Sequence, residues 1–593
     1  MSDGTNGAPE RFAIGISFGN TSSSIARINP VCEPDSRPRI YFQGFESLLR
    51  QKKSTTAWWR VILRAQTNGY TDRQIPSVLS YIDGEEYHGT QAKAQLVRNS
   101  QNTVAYFRDY LGKDFKSIDA TPCHNSAHPQ PHESTVAFSI VDSTNETPST
   151  VTVSEIATRH LRRLKQSASD YLGKEVNAAV ITVPTDFSDA QREALTASAK
   201  AAGLEVLQLI HEPVAAALAY DARPEATVTD KLVVVADLGG TRSDAAVLAC
   251  RGGMYSILAT AHDYELGGAS LDKIIIDHFA KEFIKKHKTD PRENARGLAK
   301  LKLEGEAARK TLSLGTNASL SIESLADGID FGSTVNRTRY ELLSGKTFAQ
   351  FTGLIEQVIQ KAGLDVLDID EVIFAGGASH TPKIAQLARN IFSEKTKILA
   401  PSTFTGAINP SELAPRGAAI QASLIQEFEQ EDIEQSIHPM VTATPHLKNA
   451  IGVEFTTGET VEFQPLLNTE TALPARRVAQ YNAPKAGGDV FIRVCEGVRE
   501  IKVTKPEPKP KEEKPKTEED EDDSDFDSDE DEEEEIREIV WKTEKPIAEL
   551  AVKGVKAGSK VELMVHVNAD LGLQITAREV GGQNAVRGAV QAA

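Results

Sequence analysis

Ser17, Gly19, Asn20 and Thr21 lie in one short stretch of this chain, and Asp237, Gly239, Gly240 and Thr241 lie in a second stretch more than two hundred residues later. The two stretches read AIGISFGNTSSSIA (13–26) and VVADLGGTRSDAAV (234–247). With Gly19 placed on Gly239, Thr21 falls on Thr241, Ser17 on Asp237 and Ser24 on Asp244. Each is an apolar strand, a glycine turn with Thr close behind, and a second apolar strand. Glycine lets the main chain approach a phosphate closely, and such a turn can offer backbone N–H groups to it. Two of them predict two lobes clamping one nucleotide from both sides. Only the second keeps a carboxylate, Asp237, where strand meets turn. The first has the hydroxyl of Ser17, a difference that bears on whether a bound nucleotide is cleaved.

The elements that must position these turns read as α/β layers. Ser154–Tyr171 has an apolar stripe of Ile156, Leu161 and Leu164, as an amphipathic helix requires. Ala178–Val183 is an apolar strand ended by Pro184. Ser188 then caps a helix running to about Ala202, stopped by Gly203. Glu205–Ile210 is a strand, and Pro213–Tyr220 an Ala-rich helix start. Asp272–Lys288, Asn294–Leu312 and Leu354–Ala362 read as helices. Ser319–Ile322, Arg337–Tyr340 and Glu371–Ala375 read as strands, and Pro410–Phe428 is mainly helix. Beyond Glu429–Ser436, which turns acidic and polar, short alternating segments at hairpin spacing predict an all-β module. The fold class expected is α/β, a two-lobe domain followed by a small all-β domain. The boundaries are a loose tail (1–11), a two-lobe nucleotide-binding domain (12–428), a linker (429–440), a β-sandwich-like domain (441–577) and a Gly- and Ala-rich tail (578–593).

Composition narrows the function classes. The 593 residues exceed what one core supports. No apolar run is long enough to span a membrane, and the N-terminus has no signal-peptide pattern. The four cysteines (Cys32, Cys123, Cys250, Cys495) lack metal-ligand spacing, which predicts free thiols and no zinc site. The net charge of −18 is concentrated in 518–535, with fifteen acidic residues and no basic one; without that run it is −18 − (−15) = −3. The remainder is nearly neutral and has no basic stripe, so direct DNA or RNA binding has little support.

Two segments stand apart. Asn29–Tyr70 contains three prolines, a basic cluster and the pair Trp58–Trp59, with poor periodicity. Three readings stand for this atypical insertion: a disordered insertion, a basic binding element, or translated non-coding sequence. The stretch 505–535, Pro/Lys-rich and then acidic, cannot bury a core and is expected to be a disordered loop between two strands. It is either an inert solvated loop or one that repels rRNA or takes phosphate at Ser524 and Ser528.

The ordered motifs resemble the heat-shock-protein-70 chaperones, of the actin-like two-lobe ATPase fold. AVITVPTDFSDAQREAL followed by LIHEPVAAALAY is close to that family's hinge segment. FAGGASHTPKIAQL is similar to its adenosine-side turn, and ARKTLSLGTNASLSIESLADGIDF to its adenine-pocket helix and following strand. The resemblance covers about 12–28 and 72–427, and the β module more weakly. It implies phosphate contacts at Gly19, Asn20, Thr21, Gly239, Gly240 and Thr241, a hinge glutamate at Glu212, and an adenosine-side turn at Gly376 and Gly377. It places Glu306, Arg309, Lys310 and Ser313 along adenine and ribose, on one helical face. Asp237 matches a carboxylate that holds magnesium through water. The cofactor implied is ATP, with the metal left open.

The departures from that family are chemical. Ser17 replaces its first-turn aspartate, Arg108 takes the place of its catalytic lysine, and Thr241 and Arg242 replace a glycine and a threonine. His380 and Ser411 replace an arginine and an aspartate near the base. Arginine is not a compact, rotatable point donor. Losing one well-placed electrostatic group typically costs about 10²–10⁴ in rate. Negligible hydrolysis with retained ATP binding is therefore expected, and no residue is assigned a catalytic role. For Arg242 two readings stand: it neutralises the γ-phosphate in place of a metal, or it points to solvent. No amphipathic helix follows Ala577, so the family's helical lid is not expected. EDIEQSIHPM stands where the family has a leucine-rich linker. These losses resemble a fungal branch of the family that works in a ribosome-associated complex. That resemblance implies a J-domain partner of zuotin type, an indirect ribosome contact, a second, active chaperone and a cytoplasmic location. The competing expectation is an ATP-hydrolysing chaperone for unfolded peptides. A sugar or acetate kinase and a nucleotide-exchange partner fit the β module and the missing helical tail less well.

Overall fold

The computed structural model describes residues 11–31, 58–62, 74–119, 126–141, 148–223, 226–227, 229–426, 428–436, 445–457, 460–504, 536–582 and 585–591. The chain divides into two compact units, Met1–Ala443 and Thr444–Ala593.

In the first unit, one sheet carries the first turn. Strands β1 (Ala13–Ser17) and β2 (Ser22–Val31) form an antiparallel hairpin, and β1 also pairs in parallel with β3 (Ala178–Val183), which pairs in parallel with β4 (Glu205–His211). Helices α1 (Val153–Leu172) and α2 (Asp189–Ala201) cover it. Both begin in capping boxes, Thr152 with Glu155 and Ser188 with Gln191, which satisfy the orphan N–H groups of the first turn. Their stripes (Ile156, Leu161, Leu164, Leu195) meet Ile14, Ile16 and Ile181 in one core. This is lobe I.

After helix α3 (Glu212–Asp221) the pattern repeats. Strands β5 (Lys231–Leu238) and β6 (Ser243–Arg251) form the second hairpin, β7 (Met254–Asp263) extends it, and β8 (Glu371–Ala375) pairs with β5 in parallel, followed by β9 (Lys397–Leu399). β5 is buried along nearly its whole length, as a strand covered on both faces must be. Helices α4 (Gly268–His287), α5 (Ala295–Leu314), α6 (Arg337–Leu343) and α7 (Gly345–Lys361) complete lobe II around a separate core. In both lobes the strand leading into the glycine turn lies between its hairpin mate and a parallel neighbour. The duplication seen in the sequence is therefore a duplication of topology.

Two helices join the lobes. Ala215 of α3 packs with Ala13, Ala178 and Ala418, while Ala216, Ala217, Ala219 and Tyr220 pack with Val233, Val235 and Ile373 of the lobe II sheet. Helix α8 (Leu413–Ile425) lies on β1 and crosses α3. A Cβ on Gly417 would sit 1.9 Å from the Ala215 carbonyl oxygen, and a Cβ on Gly15 would sit 2.1 Å from the Ala419 nitrogen. Backbone meets backbone at both crossings.

The second unit is two four-stranded antiparallel sheets. One has the order β11 (Thr460–Leu467), β10 (Ala450–Thr457), β13 (Gly488–Thr504), β14 (Ile536–Val555); the other has β12 (Ala475–Asn482), β15 (Lys560–Val567), β16 (Leu573–Glu579), β17 (Ala585–Val590). Val453, Val494 and Leu550 of one sheet share a core with Leu563, Val565 and Ile575 of the other, as in a sandwich. Thr504 pairs with Ile536, so 505–535 connects two neighbouring strands; the loop itself lies outside the described residues.

Several expectations need correction. Arg337–Tyr340 is helix, not strand: the strand ends at Asn336, whose side chain accepts from the Arg339 N–H and caps α6. Within the expected linker 429–440, Gln430–Ser436 forms helix α9, with Ile433 buried beside Leu207 and Ile425. In the expected N-terminal tail, Arg11 bonds Glu205 and the Phe428 carbonyl oxygen. In the expected C-terminal tail, Ala585–Val590 pairs with β16 as an edge strand. Trp58 and Trp59 belong to a strand, Trp58–Ile62, that pairs antiparallel with β2. The rest of 29–70 apart from 29–31 lies outside the described residues, as do 1–10. None of the described helices is long and apolar enough to cross a membrane.

Candidate functional site

The two glycine turns face each other across the lobes. The Asn20 side-chain amide donates to Thr241 Oγ1 at 3.2 Å, and a Cβ on Gly240 would lie 2.4 Å from Thr21 Oγ1. The carbonyls of both turns are already committed. Gly19 O accepts from Ser77 Oγ (2.7 Å) and Thr21 O from the Ser77 N–H (3.0 Å). Gly239 O and Gly240 O accept from Gly268 and Ala269 at the start of α4 (2.9 and 2.7 Å). A phosphate between the turns would therefore not meet those four oxygens.

Ser77 is itself held. Its hydroxyl lies 3.0 Å from Ser23 Oγ, and Ser23 Oγ lies 3.1 Å from His160 Nε2. His160 is fully buried among Phe18 and Phe107, its Nδ1 has no partner, and burial drives its pKa down to about 3. The folded protein thus refuses a proton that the unfolded chain accepts near pH 6.5. This group's contribution is present above pH 6.5 and lost as pH falls toward 3, at up to ~1.4 kcal/mol per pH unit. Urea midpoints at pH 7 and 5.5 should fall more steeply for the unaltered protein than for His160→Leu. Equal slopes would remove the buried neutral imidazole from the account.

All fourteen residues expected at a nucleotide site line one cavity of about 940 Å³: Gly19, Asn20, Thr21, Glu212, Asp237, Gly239, Gly240, Thr241, Glu306, Arg309, Lys310, Ser313, Gly376 and Gly377. Their surroundings differ. Glu212 is buried and Asp237 partly so, and burial pushes both carboxyls up despite Arg108. For Glu306, burial acts to raise the pKa, but Lys93 at 2.6 Å and Lys310 outweigh it and hold it at about 2. Arg309 is buried and turned onto Asp272, 2.6 Å away. Gly376 has a left-handed backbone, and a Cβ there would strike Leu238 O and Asp237 Oδ1, so only glycine fits.

The two arginines singled out in the sequence are both buried and paired. Arg108 contacts Asp109 at 2.8 Å and Glu212 at 3.3 Å. Arg242 pairs with Asp244 and with Asp186 (3.0 Å), and lies over the Tyr264 ring at 4.6 Å. The reading in which Arg242 points to solvent is therefore corrected: three carboxylate and ring partners draw it in, and its residue is 6% exposed. His380 Nε2 lies 3.2 Å from Ser411 Oγ.

Sequence reasoning missed part of the wall. Gln74 and the run Ala407–Pro410 line the cavity without any spacing signal, because loops bring them there. Asp186, His262 and Tyr264, grouped around Arg242, come from separate loop and strand ends and carried none either.

The residues fit a nucleoside triphosphate. Thr21 Oγ1 and Asn20 Oδ1 are buried without partners; the first can donate to a phosphate oxygen, the second can accept from a bound water. The volume falls in the range of small-molecule sites. For a divalent metal, Asp237 is the candidate within the cavity, and Asp186, Asp244 and His262 form a three-ligand group whose middle holds the Arg242 guanidinium. Cys250 and Cys495 are free and buried; Cys32 and Cys123 lie outside the described residues.

A family model described as Hsp70 protein matches residues 60–507. Ribosome-associated complex subunit SSZ1 of Saccharomyces cerevisiae is 42% identical over 97% of this chain and 99% of its own length. A heat shock protein 70 homolog of Schizosaccharomyces pombe is 41% identical over 97% of this chain and 95% of its own length. Heat shock 70 kDa protein 14 of Xenopus tropicalis is 32% identical over 72% of this chain and 82% of its own length.

Proposed function

This chain belongs to the Hsp70 family, and we propose that it is an ATP-binding, essentially non-hydrolysing member that pairs with a J-domain protein and assists folding of nascent chains at the ribosome. The observation that carries the reading is the state of the cations at the phosphate end. Arg108 and Arg242 are both neutralised by carboxylates, and Ser17 supplies only a hydroxyl opposite Asp237. Phosphoryl transfer needs charge free to stabilise the transferring group and an oriented water. Binding needs less, and Thr21, Asn20 and the two glycine turns supply it.

Bound ATP would contribute its phosphates as a bridge between the turns and its base as a filling for the far end. Around it, Gly19–Thr21 and Gly239–Thr241 hold the phosphates, and Glu306, Arg309, Lys310, Ser313, Gly376 and Gly377 enclose the nucleoside. Glu212 and Asp237 stand at the hinge end, and burial keeps their protons on to higher pH than usual. Thr21, Asn20 and the turns meet the phosphates without a metal of their own; Asp237 would hold a magnesium ion through water, and Arg242, balanced by Asp244 and Asp186, does not take its place.

The placement at the ribosome rests on similarity to the yeast ribosome-associated complex subunit, which matches nearly end to end. On that reading the chain is cytoplasmic, its steady partner is a J-domain protein of zuotin type, its ribosome contact is indirect, and it serves a second, active chaperone. Calorimetry with ATP, with and without chelator, combined with single-turnover hydrolysis by the purified protein, tests the core of this. Binding in both conditions with no hydrolysis over an hour is expected. Turnover like that of an ordinary family member would instead make it an ATP-hydrolysing chaperone for unfolded peptides.

A further inference from the structure

Asp186 lies in the loop between β3 and α2 of lobe I, while Arg242, Asp244, His262 and Tyr264 all belong to lobe II. Asp186 Oδ2 accepts from the Tyr264 hydroxyl at 2.7 Å, and its Oδ1 forms an ion pair with the Arg242 guanidinium at 3.0 Å. Behind the guanidinium, Asp244 takes both Nε and Nη2, and His262 Nδ1 sits 2.6 Å from Asp244 and 3.4 Å from Arg242 Nη2. The Tyr264 ring closes the outer side by lying under the guanidinium and beside His262. One oxygen of Asp186, one of Asp244 and a nitrogen of His262 all lie within 4.8 Å of one another, a spacing that suits a metal ion. Arg242 Nη2 contacts all three of these groups.

We propose that Arg242 is a built-in cation that ties lobe I to lobe II at the phosphate end of the cleft, seated where Asp186, Asp244 and His262 would otherwise gather a metal ion. Burial makes this tie unlike a surface ion pair. The Arg242 side chain is 7% exposed and its partners Asp186 and Asp244 are 21% and 17% exposed. Water therefore screens them little. Fork geometry lets one guanidinium serve two carboxylates from different lobes, which a lysine could not match. Two groups from lobe II converge on one lobe I carboxylate, so rotating the lobes apart breaks the Tyr264 hydrogen bond and the Arg242 ion pair at once and strips Asp186 of both, while Arg242 stays with Asp244 and His262. The lobes are consequently held together before any nucleotide arrives, and this part of the cleft does not depend on a bound ion.

The test uses the full chain without nucleotide, so its outcome is independent of whether ATP binds. Spin labels on α2 and α7 report the lobe separation, and Zn²⁺ alone is the probe. The unaltered protein should give a narrow distance distribution and a melting temperature indifferent to micromolar Zn²⁺. Arg242→Ala should broaden the distribution and lower the melting temperature, and Zn²⁺ should reverse both by taking the vacated place. Adding His262→Ala to Arg242→Ala should abolish the Zn²⁺ response. Asp186→Asn and Tyr264→Phe keep the lobe II cluster intact and should broaden the distribution on their own, which serves if Arg242→Ala does not fold. A narrow distribution in both of these would overturn the tie. A Zn²⁺ response in the unaltered protein, or none in Arg242→Ala, would overturn the seat.

Discussion

Gly417→Ala should cost the first unit about 3 kcal/mol or more and lower its melting temperature by several degrees, the largest stability effect expected from exchanging a single hydrogen for a methyl group anywhere in the lobes. The reason lies in how the lobes are joined. Helix α3 covers the lobe II sheet through Ala216, Ala217 and Tyr220, and helix α8 lies on the lobe I sheet through Ala418 and Ala422. The two helices touch at Gly417, where a methyl group would stand 1.9 Å from the Ala215 carbonyl oxygen, 2.5 Å from its carbon and 2.6 Å from its Cα. All three atoms are backbone, so no rotamer change relieves the clash, and a helix must move. Overpacking a core by a methylene usually costs about 1–3 kcal/mol because side chains give way; here only main chain can. On its other face α8 is fixed by an equally close approach to Gly15 of β1, so it cannot retreat without opening the lobe I sheet. Thermal unfolding of the purified variant is the measurement. A melting temperature equal to that of the unaltered protein would mean that the crossing is looser than its geometry.

This crossing also shows why some of the fold is legible in the sequence and some is not. Short apolar strands bounded by punctuation, such as Ala178–Val183 before Pro184 and Glu371–Ala375 before Gly376, declare both ends, and the structure places them at the same residues. Ser188 announces its helix because the capping box satisfies orphan amides locally. Where the deciding partner is remote, the signal vanishes. Arg337–Tyr340 alternates like a strand, yet Asn336 caps it into a helix. Gln430–Ser436 looks like a polar linker, yet one residue, Ile433, finds a pocket formed by Leu207 and Ile425 from elsewhere in the chain. Ala585–Val590 is too small and glycine-broken to read as a strand, and the free edge of β16 recruits it.

The candidate site divides the same way. Its glycine turns are legible because close main-chain approach leaves a mark, glycine followed by Thr, at both copies. The residues along α5 are legible because a helix puts Glu306, Arg309, Lys310 and Ser313 on one side by spacing alone. Arg242 is visible as a departure, but its fate depends on Asp186 and on His262 and Tyr264, and two segments remote from Arg242 in sequence leave no common spacing with it. A charge that looked free to meet either phosphate or solvent is instead fixed by its neighbours. That changes what the cleft can do: positive charge is present beside the second glycine turn, but it is already balanced.

Gly240→Ala should reduce ATP affinity by about 100-fold, roughly 3 kcal/mol, while leaving the fold intact. The added methyl would lie 2.4 Å from Thr21 Oγ1 and 2.9 Å from both Cβ and Cγ2 of the same residue. Thr21 is β-branched and stiff at χ1, so it cannot swing clear. The two turns must instead part, which stretches the 3.2 Å bond from Asn20 to Thr241 and takes the donors of one turn out of reach of a phosphate held by the other. The clash is between lobes and not within a core, so each lobe should keep its fold, and melting in the absence of nucleotide should fall by no more than it does for Arg242→Ala. Gly353→Ala is the control, since nothing lies within 4 Å of a Cβ at that position of α7; its ATP affinity should match that of the unaltered protein. Calorimetric titration of the three proteins decides the matter. If Gly240→Ala binds ATP within about threefold of the unaltered protein, the phosphates do not lie between the turns and the nucleotide reading of this cleft fails at its centre.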